Sequence, residues 1–256
     1  METVHGPATD KILSPLPRPF RFALLSMYNG EPQLGTDGEH HKLDEDTRIS
    51  PEQGIWLYNL CRQAKSKKTL EIGLAYGFST LYFLAAIGEN GGNHTAVDPF
   101  QSDWHGIGSR QSRNLNMSDS FRFIEEKSVP ALVHLADRRE RFDVIFIDGN
   151  HRFDDVLVDF ILSAELCAMG GYIILDDMWM PAVRMAVAFV RSNRKDFEEL
   201  KTPVSNIAAF QRKGEDARDW LHYVEFKDSN RRREIRRLAP ALLRRGAKAI
   251  SRIVRA

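Results

Sequence analysis

Residues 142–148 read FDVIFID. A strand built from them presents apolar side chains on both faces, so it must be covered on both sides, as the central strands of a parallel sheet are. The flanking sequence supplies such a sheet. Strand patterns fall at 69–73, 94–98, near 121–125, at 142–148 and at 172–176. Helical patterns stand between them, at 78–87, within 102–117, at 129–136 and 154–167, with another at 182–193 after the last of these strands. Two further strand patterns, 197–202 and 206–212, have no helix between them and read as an antiparallel hairpin. Alternation of this kind implies an α/β fold: a doubly wound, mostly parallel seven-stranded sheet with helices on both faces and a C-terminal hairpin.

Regular structure begins at Ser50–Pro51, a good N-cap followed by proline at the first helical position. The helix it opens runs to about 64, with Ile55, Leu57, Tyr58 and Cys61 facing inward. Residues 1–48 are rich in Pro, Gly and polar residues and read as an arm or lid, with one short apolar element around 20–28. The catalytic-type domain is expected over 49–215, and a basic helical extension over 216–256.

Charge divides the chain. Residues 231–256 hold ten Lys/Arg and one acid, Glu234, a balance of +9 that leaves −8 for the remainder of a chain whose net charge is +1. An acidic body argues against general nucleic-acid binding. In the tail Ile235, Leu238, Leu242, Ala249 and Ile253 form an apolar stripe at helical spacing, with Pro240 as a break. The stripe reads first as a docking helix; a membrane surface or an acidic partner is the other reading. No apolar run is long enough for a transmembrane span, and the first twenty residues lack the pattern of a signal peptide. Cys61 and Cys167 are far apart, without metal spacing, so a reduced, cytoplasmic protein is expected.

In doubly wound sheets ligands bind beyond the carboxyl ends of the strands. Those ends carry acids here: Glu71 just inside the first, Asp98 at the second, Asp148 at the fourth, and Asp176–Asp177 at the fifth. Acids are depleted in strands, so their recurrence at one rim marks a site. Gly73 and Gly77 in TLEIGLAYGFST permit a tight turn with close backbone approach. Their spacing is neither that of a dinucleotide turn nor that of a P-loop. Asp98 can accept both hydroxyls of a ribose. Glu71 beside the turn suits a positively charged cofactor and repels a pyrophosphate, which favours S-adenosylmethionine over NAD.

The E-x-G-x-x-x-G-x-S run, the acid ending the second strand, FDVIFIDGNH and the following LDD together resemble the class I S-adenosylmethionine-dependent methyltransferases. Within them the resemblance is to the catechol O-methyltransferase-like group and its bacterial relatives acting on sugars and natural products. It covers about 49–212. It implies that Glu71, Gly73, Gly77 and Ser79 contact the cofactor, with Asp148 beside it. Asp98 would bind the ribose, and Ser128 would lie near the adenine.

The same resemblance implies a Mg²⁺ site at Asp148, Asp176 and Asp177, whose hard oxygens suit that ion. Asp177 departs from the Asn usual at the last position. It also places His151 where relatives carry the base that deprotonates the acceptor, a task suited to an imidazole at neutral pH. Trp104 and Trp179 flank the expected pocket and are candidates for an acceptor wall. His40–His41 read as part of a solvated arm, since metal-site spacing and partners are absent from the sequence. The expected activity is Mg²⁺-dependent O-methylation of a small molecule or sugar, with homodimers common among relatives. Three alternatives stand: a metal-independent or N-methyltransferase, a non-catalytic cofactor-binding scaffold using the basic tail, and, less favoured, an RNA methyltransferase.

Overall fold

The computed structural model describes residues 7–228. Two N-terminal helices, α1 (Pro7–Ile12) and α2 (Arg18–Tyr28), precede a small hairpin of β1 (Gln33–Leu34) and β2 (His40–His41). The main body follows as α3 (Pro51–Gln63), β3 (Lys68–Ile72), α4 (Phe78–Asn90), β4 (Asn93–Val97), α5 (Ile107–Asn114) and β5 (Phe121–Ile124). It continues as α6 (Ser128–Asp137), β6 (Phe142–Ile147), α7 (Phe153–Leu166), β7 (Cys167–Leu175), α8 (Pro181–Asn193), β8 (Phe197–Leu200) and β9 (Ala208–Arg212).

The large sheet has the order β5-β4-β3-β6-β7-β9-β8. Pairings from β5 to β7 are parallel, and β9 pairs antiparallel with both β7 and β8. β6 lies near the centre, as its two-faced apolar pattern requires. Val144 and Phe146 enter one core, with α3, α4 and the N-terminal helices; Ile145 and Ile147 enter the other, with α6, α7 and α8. The period of two along a strand makes this division. Order reverses between β3 and β6, so a cleft opens beyond their carboxyl ends.

Local sequence explains the start of α3. Ser50 Oγ accepts from the Gln53 amide at 3.2 Å while Gln53 Oε1 accepts from the Ser50 amide at 2.9 Å, a complete capping box.

The arm is more ordered than its composition implies. The apolar element expected around 20–28 is a helix that starts two residues earlier, and Phe20, Leu24, Met27 and Tyr28 are buried against the main body. Tyr28 donates its hydroxyl to the Ile49 carbonyl at 3.0 Å, and its oxygen lies 3.1 Å from the Tyr82 hydroxyl. These contacts are remote in sequence, so local periodicity does not reveal them.

β7 also starts earlier than expected. Its first residues bend around a register shift opposite Phe142 and Val144 before the regular run that begins at Tyr172. Residues 213–228 contain no helix or strand. They lie along α8: Asn193 bonds the Val224 backbone at both its N–H and its C=O, and Phe226 packs edge-on against Phe189. The described part of the expected helical extension is therefore irregular. The arginine-rich stripe of 235–253 lies outside the described residues.

Candidate active site

A cavity of about 750 Å³ opens beyond the carboxyl ends of β3, β4, β6 and β7. That volume is ample for a small organic ligand. Gly73, Ser79, Asp98, Ser128, Asp148, His151, Asp176, Asp177, Trp104 and Trp179, all singled out from the sequence, line it. Glu71 and Gly77 do not.

The turn after β3 is shaped by close backbone contact. Gly73 has φ +94°, and a Cβ there would sit 2.0 Å from the Asp148 carbonyl oxygen. Glycine thus lets the ends of β3 and β6 meet. Gly77, at φ +82°, caps α4 and faces α5, 3.2 Å from Gly108 Cα once a Cβ is added. Ser79 stands in the first turn of α4, where backbone amides lack intrahelical partners, and it lines the cavity.

Asp98 is nearly buried and fully engaged. Its Oδ2 accepts from the Leu74 and Ala75 amides, both at 2.9 Å, and its Oδ1 accepts from the Phe100 amide at 2.7 Å. It ties the β3 turn to the β4 end. Glu71 lies behind the turn with no solvent exposure, where Thr80 donates to it and His94 Nε2 lies 3.2 Å away. This network sits on the α4 side of the sheet, away from the cavity.

Acids gather at the other end. The ligand atoms of Asp148, His151 and Asp177 all lie within 4.8 Å of one another. His151 Nε2 is 2.9 Å from Asp177 Oδ2 and 3.6 Å from Asp148 Oδ1. Neither contact meets hydrogen-bond geometry, so they become ion pairs only when His151 is protonated. Asp177 occupies the left-handed region at φ 59°, which aspartate adopts more readily than most non-glycine residues.

The electrostatics follow from this crowding. Burial, with the Asp177 charge nearby, pushes the Asp148 carboxyl up to about 6 despite the opposing pull of His151. Burial and the Asp148 charge raise Asp176 to about 8. Burial also works against ionising Asp177, but its contacts with His151, Asn206 and Trp179 outweigh that and hold it below its ordinary value. Asp148 and Asp177 together raise His151 to about 10.

Two residues that sequence reasoning missed hold these acids. Gln53 Nε2 donates to Asp176 Oδ1 at 2.7 Å, while the same side chain completes the α3 cap. Asn206 Nδ2 donates to Asp176 Oδ1 at 2.9 Å and to Asp177 Oδ1 at 3.2 Å. The S-x-x-Q capping signal around Gln53 is legible in the sequence; its partner 123 residues away is not. Trp179 Nε1 donates to Asp177 Oδ1 at 2.8 Å, so this mostly exposed ring is anchored to the acid cluster. Trp104 packs edge-on against Tyr76, with ring centres 5.0 Å apart.

This donor set fits a hard divalent cation. Carboxylate oxygens converge from two neighbouring strand ends, and burial, with the neighbouring acid charges, makes two of the acids resist ionisation, a cost that a bound cation would relieve. Asp148 and Asp177 carry the convergent oxygens, whereas Asp176 turns Oδ1 to Gln53, Asn206 and the Asp177 amide.

Comparison with known proteins places this arrangement in context. Residues 70–178 match a family described as a methyltransferase domain. A caffeoyl-CoA O-methyltransferase of Populus kitakamiensis is 26% identical over 171 residues, which is 59% of this chain and 69% of the relative. Among solved structures, the O-methyltransferase TomG of Streptomyces achromogenes, in complex with SAM, superposes with a TM-score of 0.61. It is 17% identical, over 84% of this chain and all of that one. An O-methyltransferase of Bacillus cereus in complex with SAH gives a TM-score of 0.59 at 20% identity, covering 80% of this chain and 97% of the other.

Proposed function

We propose that this chain, whose residues 70–178 match a methyltransferase-domain family, transfers a methyl group from S-adenosylmethionine to a hydroxyl of a small molecule or sugar. One observation carries the reading. The glycine turn, Asp98, the Asp148–His151–Asp177 cluster and two tryptophans all line a single cavity at the point where strand order reverses. The names of the poplar, Streptomyces and Bacillus proteins support O-methylation as the reaction class.

The roles divide along the cavity. Gly73, Ser79 and the amides of the β3 turn cradle the methionine portion of the cofactor. Asp98 holds that turn rigid and faces the ribose. Ser128, first residue of α6, borders the adenine end. Glu71 acts from behind, as a buried support of the turn. S-adenosylmethionine, when bound, supplies an electrophilic methyl group on a sulfonium.

Asp148 and Asp177, with Asp176 beside them, would hold Mg²⁺, which supplies positive charge that polarises an acceptor hydroxyl. His151 takes the hydroxyl proton. Both carboxylates face the imidazole, so neutralising them returns it toward its ordinary range, where it accepts protons at neutral pH. Trp104 and Trp179 flank the acceptor and exclude water. The chain's largest contribution is alignment of oxygen, methyl and sulfur.

Calorimetric titration with S-adenosylmethionine, followed by a rate assay on catechols and sugars with and without Mg²⁺, tests the proposal. One-site binding and a rate abolished by chelation and restored by Mg²⁺ are expected. Binding with a chelator-resistant rate would favour the metal-independent reading. No binding to the folded chain would reject methyl transfer.

A further inference from the structure

Residues 219–224 form an apolar turn beside α8. The Asp219 carbonyl accepts the His222 amide at 3.1 Å, and Asp219 Oδ1 accepts the Leu221 amide at 2.8 Å. Trp220 and Leu221 are therefore the tip of the turn. They are 90% and 72% exposed, and Tyr223 beside them is 69% exposed. Turn tips normally carry Gly, Pro, Asn, Asp or Ser. A Trp–Leu pair at that place leaves large apolar side chains in water, and an exposed apolar group of this kind marks an interaction site.

The base of the turn is fixed to the body. Asn193, the last residue of α8, donates to the Val224 carbonyl at 2.9 Å and accepts the Val224 amide at 2.8 Å. Phe226 packs edge-on against Phe189, with ring centres 5.5 Å apart. Most acids of this segment are paired within it or with the body: Glu215 with Arg212 at 2.6 Å, Asp216 with Arg218 at 2.5 Å, Glu225 with Lys227 at 2.7 Å and Asp228 with Arg184 at 2.8 Å. The arginine-rich run of the sequence begins three residues past Asp228, with ten Lys/Arg and one acid over 231–256. Apolar residues recur among these cations, Ile235, Leu238, Leu242 and Ile253 included. Tyr223 and Arg231 are eight residues apart, a span of at most about 26–29 Å, so the first cations lie within that distance of the exposed tyrosine.

We propose that the Trp220–Leu221 turn and the basic run that follows it form a docking surface for an anionic lipid bilayer, which holds the chain at a membrane surface. Tryptophan and tyrosine suit the membrane–water interface, where the ring is buried while its N–H or O–H stays hydrated. Arginine and lysine are drawn there by the negative surface potential of anionic lipids. An apolar wedge and a polybasic segment together give stable attachment where one signal alone is marginal. The apolar residues favour lipid over nucleic acid. Phosphates of a nucleic acid reward the cations alone and leave Leu221 in water, and the remainder of the chain is acidic. A bilayer engages both features and asks for no partner surface shaped to the turn. This inference does not depend on the methyl-transfer reading.

The test is cosedimentation of the full chain with vesicles of phosphatidylcholine alone and of phosphatidylcholine mixed with phosphatidylglycerol, at low and high salt, with tryptophan fluorescence read on the same samples. The variants are the double substitution Trp220→Ser with Leu221→Ser, the triple substitution Arg231→Gln, Arg232→Gln and Arg233→Gln, and Trp220→Phe. Because Trp220 and Leu221 are exposed, the body should fold unchanged, and thermal melts verify this. Wild type is expected to bind the anionic vesicles at least about tenfold more tightly than the neutral ones, to lose affinity as salt rises, and to shift its emission to the blue. The double and the triple variant are each expected to bind at least about tenfold more weakly than wild type. Trp220→Phe is expected to keep the binding and lose most of the emission shift. No binding of wild type to anionic vesicles would overturn the proposal. Undiminished binding by the double variant would overturn it too, since the turn would then take no part. Tighter binding of wild type to a mixed-sequence RNA or to polyglutamate than to the anionic vesicles would assign the basic run to a nucleic acid or an acidic protein and overturn it equally.

Discussion

Asp98 Oδ2 lies 2.9 Å from the Leu74 amide, and the same oxygen takes the Ala75 amide at an equal distance. The carboxylate proposed to face a ribose is thus also the clamp on the turn proposed to cradle the rest of the cofactor. Asp98→Ala leaves three backbone amides without their acceptor, each costing about 1–3 kcal/mol if it stays buried. The expected result is loss of S-adenosylmethionine binding together with a melting temperature lower by several degrees. Asp98→Asn keeps one oxygen acceptor and is expected to melt between the two. Paired melts and calorimetry check this; an Asp98→Ala protein as stable as wild type would refute the clamp.

Asn206 reaches both Asp176 and Asp177 from the connection between β8 and β9. Asn206→Ala removes those donors and is expected to weaken Mg²⁺ activation by about 10–100-fold, as loss of outer-shell partners does. S-adenosylmethionine affinity should stay within about twofold, because Asn206 is absent from the cofactor end of the cavity. Rate against Mg²⁺ concentration, alongside calorimetry, separates these effects. Equal loss of both would mean a general collapse of the cleft.

Gly73 and Gly170 both have positive φ but differ in surroundings. Gly73→Ala drives a Cβ to within 2.0 Å of the Asp148 carbonyl, whereas the Cβ of Gly170→Ala meets nothing within 4 Å. Gly73→Ala combines a left-handed backbone with a backbone clash and should destabilise by about 3–5 kcal/mol. Gly170→Ala meets only the backbone term and should cost about 1 kcal/mol. Urea unfolding of the two variants checks the order; similar losses would contradict the contact between the ends of β3 and β6.

Asp159 is buried on α7, and its Oδ1 has no hydrogen-bond partner. Burial raises its carboxyl to about 6, against a partial pull from Ser128. An acid with a raised folded-state value binds more protons folded than unfolded. Its stability contribution is therefore greatest below about pH 4 and is lost as pH rises through about 6. At pH 8 the ionised form costs roughly 2–3 kcal/mol, at about 1.4 kcal/mol per pKa unit. Asp159→Asn should lack this slope and gain on wild type between pH 4 and pH 8. Urea unfolding across that range measures it, and parallel pH profiles would disprove the burial argument.

The division between sequence and tertiary structure is visible in particular residues. Val144 and Ile145, adjacent in sequence and buried in opposite cores, announce a covered strand through a two-residue period that any short window contains. Asp98, Asp148, Asp176 and Asp177 declare themselves because acids are costly in strands, so their place at strand ends is a local signal. The glycine turn is local too, since it answers to backbone dihedrals. Sequence thus determined the sheet, its chirality-limited topology and the rim that carries the candidate site.

Tertiary structure decided what each side chain meets. Glu71, expected to contact the cofactor, has its Oε2 beside Thr80 and His94 behind the turn, a pairing that no local pattern shows. Gln53 and Asn206 reach Asp176 over separations of 123 and 30 residues. His41 looks solvated in its own segment, and only the crossing of the hairpin over the β4–α5 loop brings His105 onto its ring. Such pairings depend on the relative placement of whole elements, which the packing of two cores sets and no local pattern encodes. Local periodicity fixes which face a residue takes; the partner on that face belongs to the assembled fold.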